Sequence, residues 1–158
     1  MLHPSAMDAF SWPLFIPLME RPKIPFFSDD TVSYSEDCLS VNVVRPAGIP
    51  HSQKLPVAVW IHGGGFLIGS SADRIYNLSD LVNTSQQLHM PVIVASINYR
   101  LGVLGFLAGS ELAAEGNINM GLHDQRLALR WVQENIGAFG GDPEKVTIFG
   151  ESAYAAVY

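Results

Sequence analysis

Three runs of consecutive apolar residues constrain the fold of this chain more than any other feature of its sequence. They occupy residues 55–61, 91–97 and 146–149. Such runs are typical of strands that are covered on both faces, because half-exposed strands alternate apolar and polar residues. The segments between the runs, including residues 75–88 and 119–136, are long enough for the crossovers that parallel strands need. The runs therefore predict an α/β fold with a mostly parallel central sheet and flanking helices.

A fourth strand is predicted before these runs. Residues 39–44 alternate apolar and polar side chains, as a half-buried edge strand does, and residues 45–50 follow with turn-forming residues. We expect this strand to pair antiparallel at an edge of the sheet.

The crossover at residues 119–136 predicts a largely covered helix. At 100° per residue, one of its sides collects apolar residues. These are Met120, Leu127, Ala128, Trp131 and Val132. Asp124 falls within the apolar arc, where an unpaired carboxylate is costly, so we expect a cationic or hydrogen-bonding partner, with Arg100 as the candidate. The glycines and the proline of residues 140–143 predict the end of the helix.

Residues 1–35 differ from the predicted domain, which occupies residues 36–158. They hold five prolines among aromatic residues and show no sustained period of 2 or 3.6. This first segment is therefore predicted to be irregular or atypical. Its apolar stretch, residues 9–19, is broken by prolines and is too short to cross a bilayer, which needs about 20 apolar residues. No Lys or Arg precedes the stretch, so it is not a convincing signal peptide, and the compartment is left open.

The charge of the chain argues against a nucleic-acid partner. Nine Lys and Arg residues oppose 15 Asp and Glu residues, which gives a net charge of -6. Phosphate binding depends on clustered basic residues, and those of this chain are few and spread. A neutral or hydrophobic substrate is easier to accommodate.

Cysteine and asparagine residues give two weak indications about the compartment. Cys38 is the single cysteine, so no disulfide can form within the chain. Two tripeptides, at residues 77–79 and 83–85, fit the N-glycosylation sequon. Such tripeptides arise often by chance and matter only if the protein enters the secretory pathway. Neither feature decides the compartment.

The sharpest local feature is the segment of residues 145–153, in which an apolar strand runs into Gly-Glu-Ser where a helix should begin. This pattern is typical of a nucleophile elbow, which holds a serine in a strained turn with its hydroxyl exposed at the sheet edge. Ser152 is therefore the candidate nucleophile. Since a lone Gly-x-Ser is usually only a turn, the prediction depends on further features.

The three glycines of residues 63–65 supply such a feature, directly after the strand predicted at residues 55–61. Consecutive glycines can leave backbone N–H groups bare and pointed into a cleft, although a flexible loop is the alternative. Ester hydrolysis passes through a tetrahedral alkoxide, and each fixed donor aimed at it lowers the barrier by roughly 3 to 4 kcal/mol. We expect Gly64, Gly65 and Ala153 to form the oxyanion hole.

Five motifs resemble those of type-B carboxylesterases and lipases, the family that includes the cholinesterases. They are Ser35-Glu-Asp-Cys-Leu39, Trp60-Ile-His-Gly-Gly-Gly-Phe66, Asn98-Tyr-Arg-Leu-Gly102, Gly121-Leu-His-Asp-Gln125 and Phe139-Gly-Gly-Asp-Pro143, in the family's order and spacing. The resemblance covers about residues 35–153. It implies an α/β-hydrolase fold and hydrolysis of a small-molecule or lipid ester by Ser152, with the oxyanion donors named above. It implies neither a metal nor an organic cofactor.

The chain departs from the family's pattern at both ends. The family's elbow reads Gly-x-Ser-x-Gly, but Tyr154 stands at the last position, where bulk is poorly tolerated. The triad of this fold runs serine, acid, histidine along the chain, yet only six residues follow Ser152, and none is acidic or a histidine. The family's cysteine that bridges to the Cys38 motif is not recognisable in residues 1–34. The sequence therefore predicts an incomplete α/β-hydrolase domain, truncated just after the elbow, with Cys38 as a free thiol.

Three ionisable side chains near the motifs could be mistaken for triad members. His62 belongs to the glycine-loop motif, and His123 lies on the polar side of the predicted helix. Glu151 is a sequence neighbour of the nucleophile and should point away from it across the turn. We interpret all three side chains as structural or solvated.

Two functions stay open on the sequence alone. The first is a serine carboxylic ester hydrolase by family, with the chain alone inactive because the acid and the histidine are missing. The second is a catalytically silent fragment or a non-enzymatic binding protein of the same fold. Ser152 favours the first function, whereas Tyr154 and the missing triad partners favour the second. The chain-length preference and the oligomeric state are not fixed by these motifs.

Overall fold

The computed structural model describes residues 35–153, so the predictions for residues 1–34 and 154–158 lie outside the described part of the chain. The strands are β1, Val41–Val44; β2, Leu55–Ile61; β3, Ile93–Ile97; and β4, Gly141–Gly150. The α-helices are α1, Ser79–Gln87; α2, Gly102–Phe106; α3, Ser110–Ala114; and α4, Met120–Asn135. Short 3-10 helices occur at Arg74–Tyr76 and Ile136–Phe139. No helix among the described residues is long and apolar enough to span a membrane.

The four strands of residues 35–153 form one sheet in the order β1-β3-β2-β4. β1 pairs antiparallel with β3, and Val41 lies opposite Ile97. β2 is parallel to both β3 and β4, so that Ile61 lies opposite both Ile97 and Gly150. The predicted mostly parallel sheet with an antiparallel edge strand is confirmed. Because β2 and β4 are parallel neighbours, the loops after their carboxyl ends emerge at the same edge of the sheet.

The centre of the hydrophobic core lies on β2 and β3. Every residue of β3 is buried, and this strand has a neighbour on each side. β2 buries alternate residues, because successive side chains of a strand point to opposite faces. Helix α4 completes the same cluster with Ala128 and Val132, followed by Ile136. All three apolar runs form strands, but only β3 is covered on both faces as predicted, since β2 buries alternate residues and residues 146–149 of β4 include no buried residue.

Helix α4 buries the predicted side at Ala128 and Val132 but not at Leu127. Leu127 was placed on the covered side, but it is 57% exposed. Asp124 and Gln125 are buried instead. Asp124 accepts hydrogen bonds from the backbone N–H of Arg100 at 3.0 Å and from its Nε and Nη2 at 2.8 Å each. The expected partner of Asp124 is confirmed, and its pairing explains why a carboxylate can occupy the buried side.

The end of helix α4 lies one residue before the predicted bound at residue 136. The helix ends at Asn135, and one turn of 3-10 helix follows it. Gly140 then adopts a left-handed conformation, with φ of 81°, and ends this turn. Gly141 already belongs to the next strand.

Strand β4 is longer than the predicted run of residues 146–149, since it begins at Gly141. Its pairing with β2 shifts register just after Leu55. Such an irregularity locally interrupts the hydrogen bonds between the two strands. Pro143, which has no N–H to donate, lies at this interruption and therefore costs no hydrogen bond between β2 and β4.

Two short helices, α2 and α3, were not predicted. Their five-residue lengths are too short to show a helical period. α2 and the start of α4 each carry a glycine that lies against the backbone of Arg100. A Cβ on Gly105 would overlap the carbonyl oxygen of Arg100. A Cβ on Gly121 would lie 2.5 Å from the same oxygen. The two glycines therefore let α2 and α4 approach the backbone of Arg100, whose side chain holds Asp124.

Candidate active site

The candidate nucleophile, Ser152, follows β4 in a tight turn at the carboxyl edge of the sheet. Its φ is 54°, in the left-handed region that side chains other than glycine rarely adopt. The residue is exposed. A strained backbone that presents an exposed hydroxyl at a strand end is the geometry that a nucleophile elbow requires.

The glycine loop lies directly against this turn. β2 and β4 are in parallel register up to Ile61 and Gly150, so the segments that follow them leave the sheet side by side. A Cβ built on Gly63 would lie 3.0 Å from the Cβ of Ser152 and 3.1 Å from the carbonyl oxygen of Glu151. Only glycine fits at position 63 without displacing the elbow. The sequence analysis assigned no role to Gly63. Its position between the predicted strand and the candidate donors Gly64 and Gly65 could have indicated one.

The predicted oxyanion donors have the backbone conformations that free their N–H groups. Gly64 and Gly65 have φ values of 108° and 63°, which favour glycine. The N–H groups of Leu67 and Ile68 both donate to the carbonyl oxygen of Gly64 at 3.1 Å, which closes the loop into a turn. Within residues 35–153, the N–H groups of Gly64, Gly65 and Ala153 donate no hydrogen bond. The role of these three groups as oxyanion donors stays a prediction.

The buried side chain of His62 contacts the backbone of the glycine loop. Its side chain is 1% exposed and stacks on Tyr99, with ring centroids 4.6 Å apart and an interplanar angle of 18°. The Tyr99 hydroxyl donates to the carbonyl oxygen of His62 at 2.8 Å, and His62 Nδ1 lies 2.9 Å from the carbonyl oxygen of Gly63. Burial lowers the pKa of His62 and raises the pKa of Tyr99 to about 12. These contacts favour the structural interpretation of His62.

Glu151 is hydrogen-bonded to Tyr76, the last residue of the 3-10 helix Arg74–Tyr76. The Tyr76 hydroxyl donates to Glu151 Oε1 at 2.6 Å. Burial, followed by this hydrogen bond, raises the pKa of Tyr76. Trp60 stands between Tyr76 and Phe149, at centroid distances of 5.3 and 5.0 Å. Sequence reasoning missed Tyr76, because nothing in its local pattern links it to a residue 75 positions later.

The Glu151 side chain approaches the glycine loop, and its expected direction away from Ser152 stays a prediction. Its Cγ lies 3.2 Å from the position of a Cβ on Gly63, which also approaches the Cβ of Ser152. Glu151 and the nucleophile therefore both border the glycine loop. The bond to Tyr76 is nevertheless consistent with a structural role for Glu151.

The described residues bring neither a histidine nor a metal site to the nucleophile. Ser152 Oγ forms no hydrogen bond within residues 35–153, and His123 lies on the exposed side of α4. Asp124 is committed to Arg100. No group of three or more His, Cys, Asp or Glu side chains in this part of the chain is placed to hold a metal ion.

A sequence model of the carboxylesterase family matches residues 18–158. The chain belongs to the carboxylesterase family. Among its relatives, Lipase 2 of Geotrichum candidum is 58% identical over 125 residues, which are 79% of this chain and 22% of that protein. The para-nitrobenzyl esterase of Bacillus subtilis (strain 168) is 51% identical over 119 residues, which are 75% of this chain and 23% of that protein. The chain thus spans about a fifth of the length of the curated relatives that it matches.

A solved structure of a thermophilic pNB esterase superimposes on this carboxylesterase-family chain with a TM-score of 0.67 at 51% identity. The superposition covers 75% of this chain and 23% of that one. The sheet and its flanking helices are therefore part of the α/β-hydrolase fold of the family's esterases. In that fold, the elbow and the glycine loop lie at the carboxyl edge of the parallel strands, where β4 and β2 place them here.

Proposed function

We propose that this chain supplies the nucleophile and the oxyanion hole of a carboxylic ester hydrolase. The observation that carries the proposal is the left-handed conformation of Ser152, with φ of 54°, in contact with the glycine loop at Gly63. Its relatives include a lipase and a para-nitrobenzyl esterase, so we infer a small-molecule or lipid ester as the substrate.

The proposed reaction begins with attack of Ser152 Oγ on the carbonyl carbon of the ester. The carbonyl oxygen becomes an alkoxide, which accepts hydrogen bonds from the N–H groups of Gly64, Gly65 and Ala153. Collapse of the alkoxide expels the alcohol and leaves an acyl group on Ser152, which water then removes. Donors fixed before the reaction need no reorganisation when the charge develops, so each contributes about 3 to 4 kcal/mol to the transition state.

Attack also needs a base that takes the proton from Ser152 Oγ. No histidine within residues 35–153 is hydrogen-bonded to this oxygen, and the fold's triad order places the acid and the histidine after the serine. We therefore expect the 158-residue chain alone to hydrolyse esters no faster than its own Ser152→Ala variant. The base must come from polypeptide other than the described residues.

A chimera tests the nucleophile and the donors with a complete triad. Residues 35–153 replace the matching segment of the Bacillus subtilis para-nitrobenzyl esterase, whose remaining residues supply the rest of the domain. After circular dichroism confirms folding, hydrolysis of p-nitrophenyl butyrate and labelling by a fluorophosphonate are measured. We expect both activities, and we expect Ser152→Ala to remove the labelling and to lower kcat by about 10⁴-fold or more.

The matched control is Ser52→Ala, which removes the hydroxyl of an exposed serine in the turn before β2. It should leave hydrolysis and labelling unchanged. A folded chimera that hydrolyses no ester, or one that still labels after Ser152→Ala, would contradict the proposal.

The silent-fragment alternative is tested at Tyr154, which the sequence analysis singled out. The chimera is extended to carry Tyr154, and it is compared with its Tyr154→Gly variant. We expect the glycine variant to be the more active, because overpacking a tight site costs about 1 to 3 kcal/mol. Equal activities would mean that Tyr154 does not silence the elbow.

A further inference from the structure

The two N-glycosylation sequons lie in different local structures, although their asparagines are only six positions apart in the sequence. Asn77 follows the 3-10 helix of Arg74–Tyr76 in an extended conformation, with φ of -67° and ψ of 92°. Asn83 lies in the middle of helix α1. Both asparagines are exposed, so accessibility alone does not distinguish them.

The geometry points to Asn77 as an acceptor of an N-linked oligosaccharide when the chain is in the lumen of the secretory pathway, and to Asn83 as a non-acceptor. Asn77 Oδ1 accepts a hydrogen bond from the backbone N–H of Ser79 at 3.2 Å. This Asx turn folds the sequon back on itself and brings its hydroxyl residue next to the amide.

The amide nitrogen of Asn77 is left available by this turn. Only the oxygen of the amide is engaged within residues 35–153, and Nδ2 has no partner there. The hydrogen bond to Oδ1 draws electron density toward the oxygen and so makes the Nδ2 protons easier to remove. Asn77 also borders an open polar cleft of about 450 Å³, which leaves room for a sugar.

The second sequon lacks both properties. Successive residues of a helix are 100° apart, so Asn83 and Ser85 point to nearly opposite sides of α1. The Ser85 hydroxyl is moreover occupied, because it donates to the carbonyl oxygen of Val82 at 2.7 Å and accepts from the N–H of Val92 at 3.2 Å. Forming an Asx turn at Asn83 would require α1 to unwind.

The proposed step transfers an oligosaccharide from a lipid pyrophosphate carrier. A bond forms between Asn77 Nδ2 and C1 of the first sugar, while the bond between C1 and the phosphate oxygen breaks. The lipid pyrophosphate leaves with the electron pair of the broken bond, and the Nδ2 proton passes to a base of the transferase. The step is independent of the proposed ester hydrolysis.

The test uses the full chain, translated with a cleavable secretion signal in the presence of microsomes, and follows one gel shift that endoglycosidase H removes. We expect the shift in the unsubstituted chain and in Asn83→Gln, and we expect it to disappear in Asn77→Gln. Ser79→Thr should keep the shift and Ser79→Ala should lose it, because the hydroxyl belongs to the sequon.

Protease protection shows which chains have entered the lumen, and only protected chains are compared. A protected chain without the shift would overturn the assignment of Asn77. A shift that disappears in Asn83→Gln but persists in Asn77→Gln would reverse it. Two additive shifts would contradict the exclusion of Asn83.

Discussion

Strands β3 and β4 make contrasting contributions to this chain. All five residues of β3 are buried between β1 and β2. β4 is an edge strand of the described sheet, and Gly141 is its only buried residue there. The candidate nucleophile follows β4, whereas β3 lies on the far side of β2. The described residues therefore bury β3 completely, whereas β4, which precedes the candidate site, has a strand neighbour on only one side and is mostly exposed or half-buried.

The largest effect should come from the same substitution made in the two strands. Ile97→Ala in β3 removes a side chain that is 0% exposed, so we expect the free energy of unfolding to fall by about 3 to 4 kcal/mol. Ile148→Ala in β4 removes a half-buried side chain, and we expect less than half of that loss. Urea denaturation followed by circular dichroism measures both values. Equal losses would mean that β4 is as well packed as β3, and the contrast between the strands would fail.

The next effect concerns two ion pairs, one with a buried carboxylate and one with an exposed ammonium group. Asp124→Asn weakens three hydrogen bonds to Arg100, and we expect a loss of about 2 to 3 kcal/mol in unfolding free energy. Lys145→Gln, in the exposed pair that Lys145 forms with Asp142 at 3.2 Å, is the control. We expect no resolvable change there, because exposed ion pairs contribute little. A larger loss for Lys145→Gln than for Asp124→Asn would invert the comparison.

The third comparison removes the hydroxyl groups of two tyrosines that bond to residues next to the candidate site. Tyr99→Phe leaves the buried carbonyl oxygen of His62 without this donor, so we expect a loss of about 1 to 2 kcal/mol in chemical denaturation. Tyr76→Phe removes the bond to Glu151, which is exposed to solvent, and should cost less than about 1 kcal/mol. Equal losses of unfolding free energy would mean that the exposed Tyr76–Glu151 bond stabilises the chain as much as the buried Tyr99–His62 bond does, and the comparison would fail.

The smallest effect is a pH dependence that arises from His62. Burial lowers its pKa below the ordinary value of 6.5, so the unfolded chain binds a proton there that the folded chain does not. Above pH 6.5 the residue is neutral in both states; below it, acid favours unfolding. Between pH 7 and 5.5 we expect a loss of at most about 1.4 kcal/mol.

Two measurements check this assignment. The loss should shrink in His62→Asn and persist in His123→Asn, which changes an exposed histidine. If His62→Asn fails to fold, the imidazole resonances of the unsubstituted chain decide the question. A His62 resonance that titrates at or above pH 6.5 would contradict the assigned direction.

The sequence predicted the features that depend on strong local patterns. The apolar runs predicted the positions of β2, β3 and β4, although only β3 is covered on both faces. The alternation of residues 39–44 predicted the antiparallel edge strand β1. The cost of an unpaired carboxylate led to the partner of Asp124. The elbow at Ser152 has the predicted backbone geometry, whereas its role as the nucleophile stays a prediction, as do the roles of the oxyanion donors.

The features that the sequence did not predict depend on contacts between distant segments. Leu127 looked like a core residue, but periodicity cannot show that a paired Asp124 and Gln125 take the buried side of α4. Gly63 looked like one glycine of a flexible run, until its contact with the elbow showed why a side chain is excluded there. Tyr76 carries no local sign of its bond to Glu151. Each of these contacts exists only once the parallel strands bring the loops together.

The left-handed backbone of Ser152 also affects which substitutions at this position would stabilise the chain. A residue with a side chain in this region is less stable by about 1 to 2 kcal/mol than glycine, which adopts it without strain. Replacement by glycine, or by asparagine, would therefore relieve strain and remove the hydroxyl in one step. Threonine keeps a hydroxyl but adds a branch at Cβ, which this conformation tolerates poorly. Selection for stability alone would thus erase the hydroxyl, and only selection for its chemistry would oppose that loss.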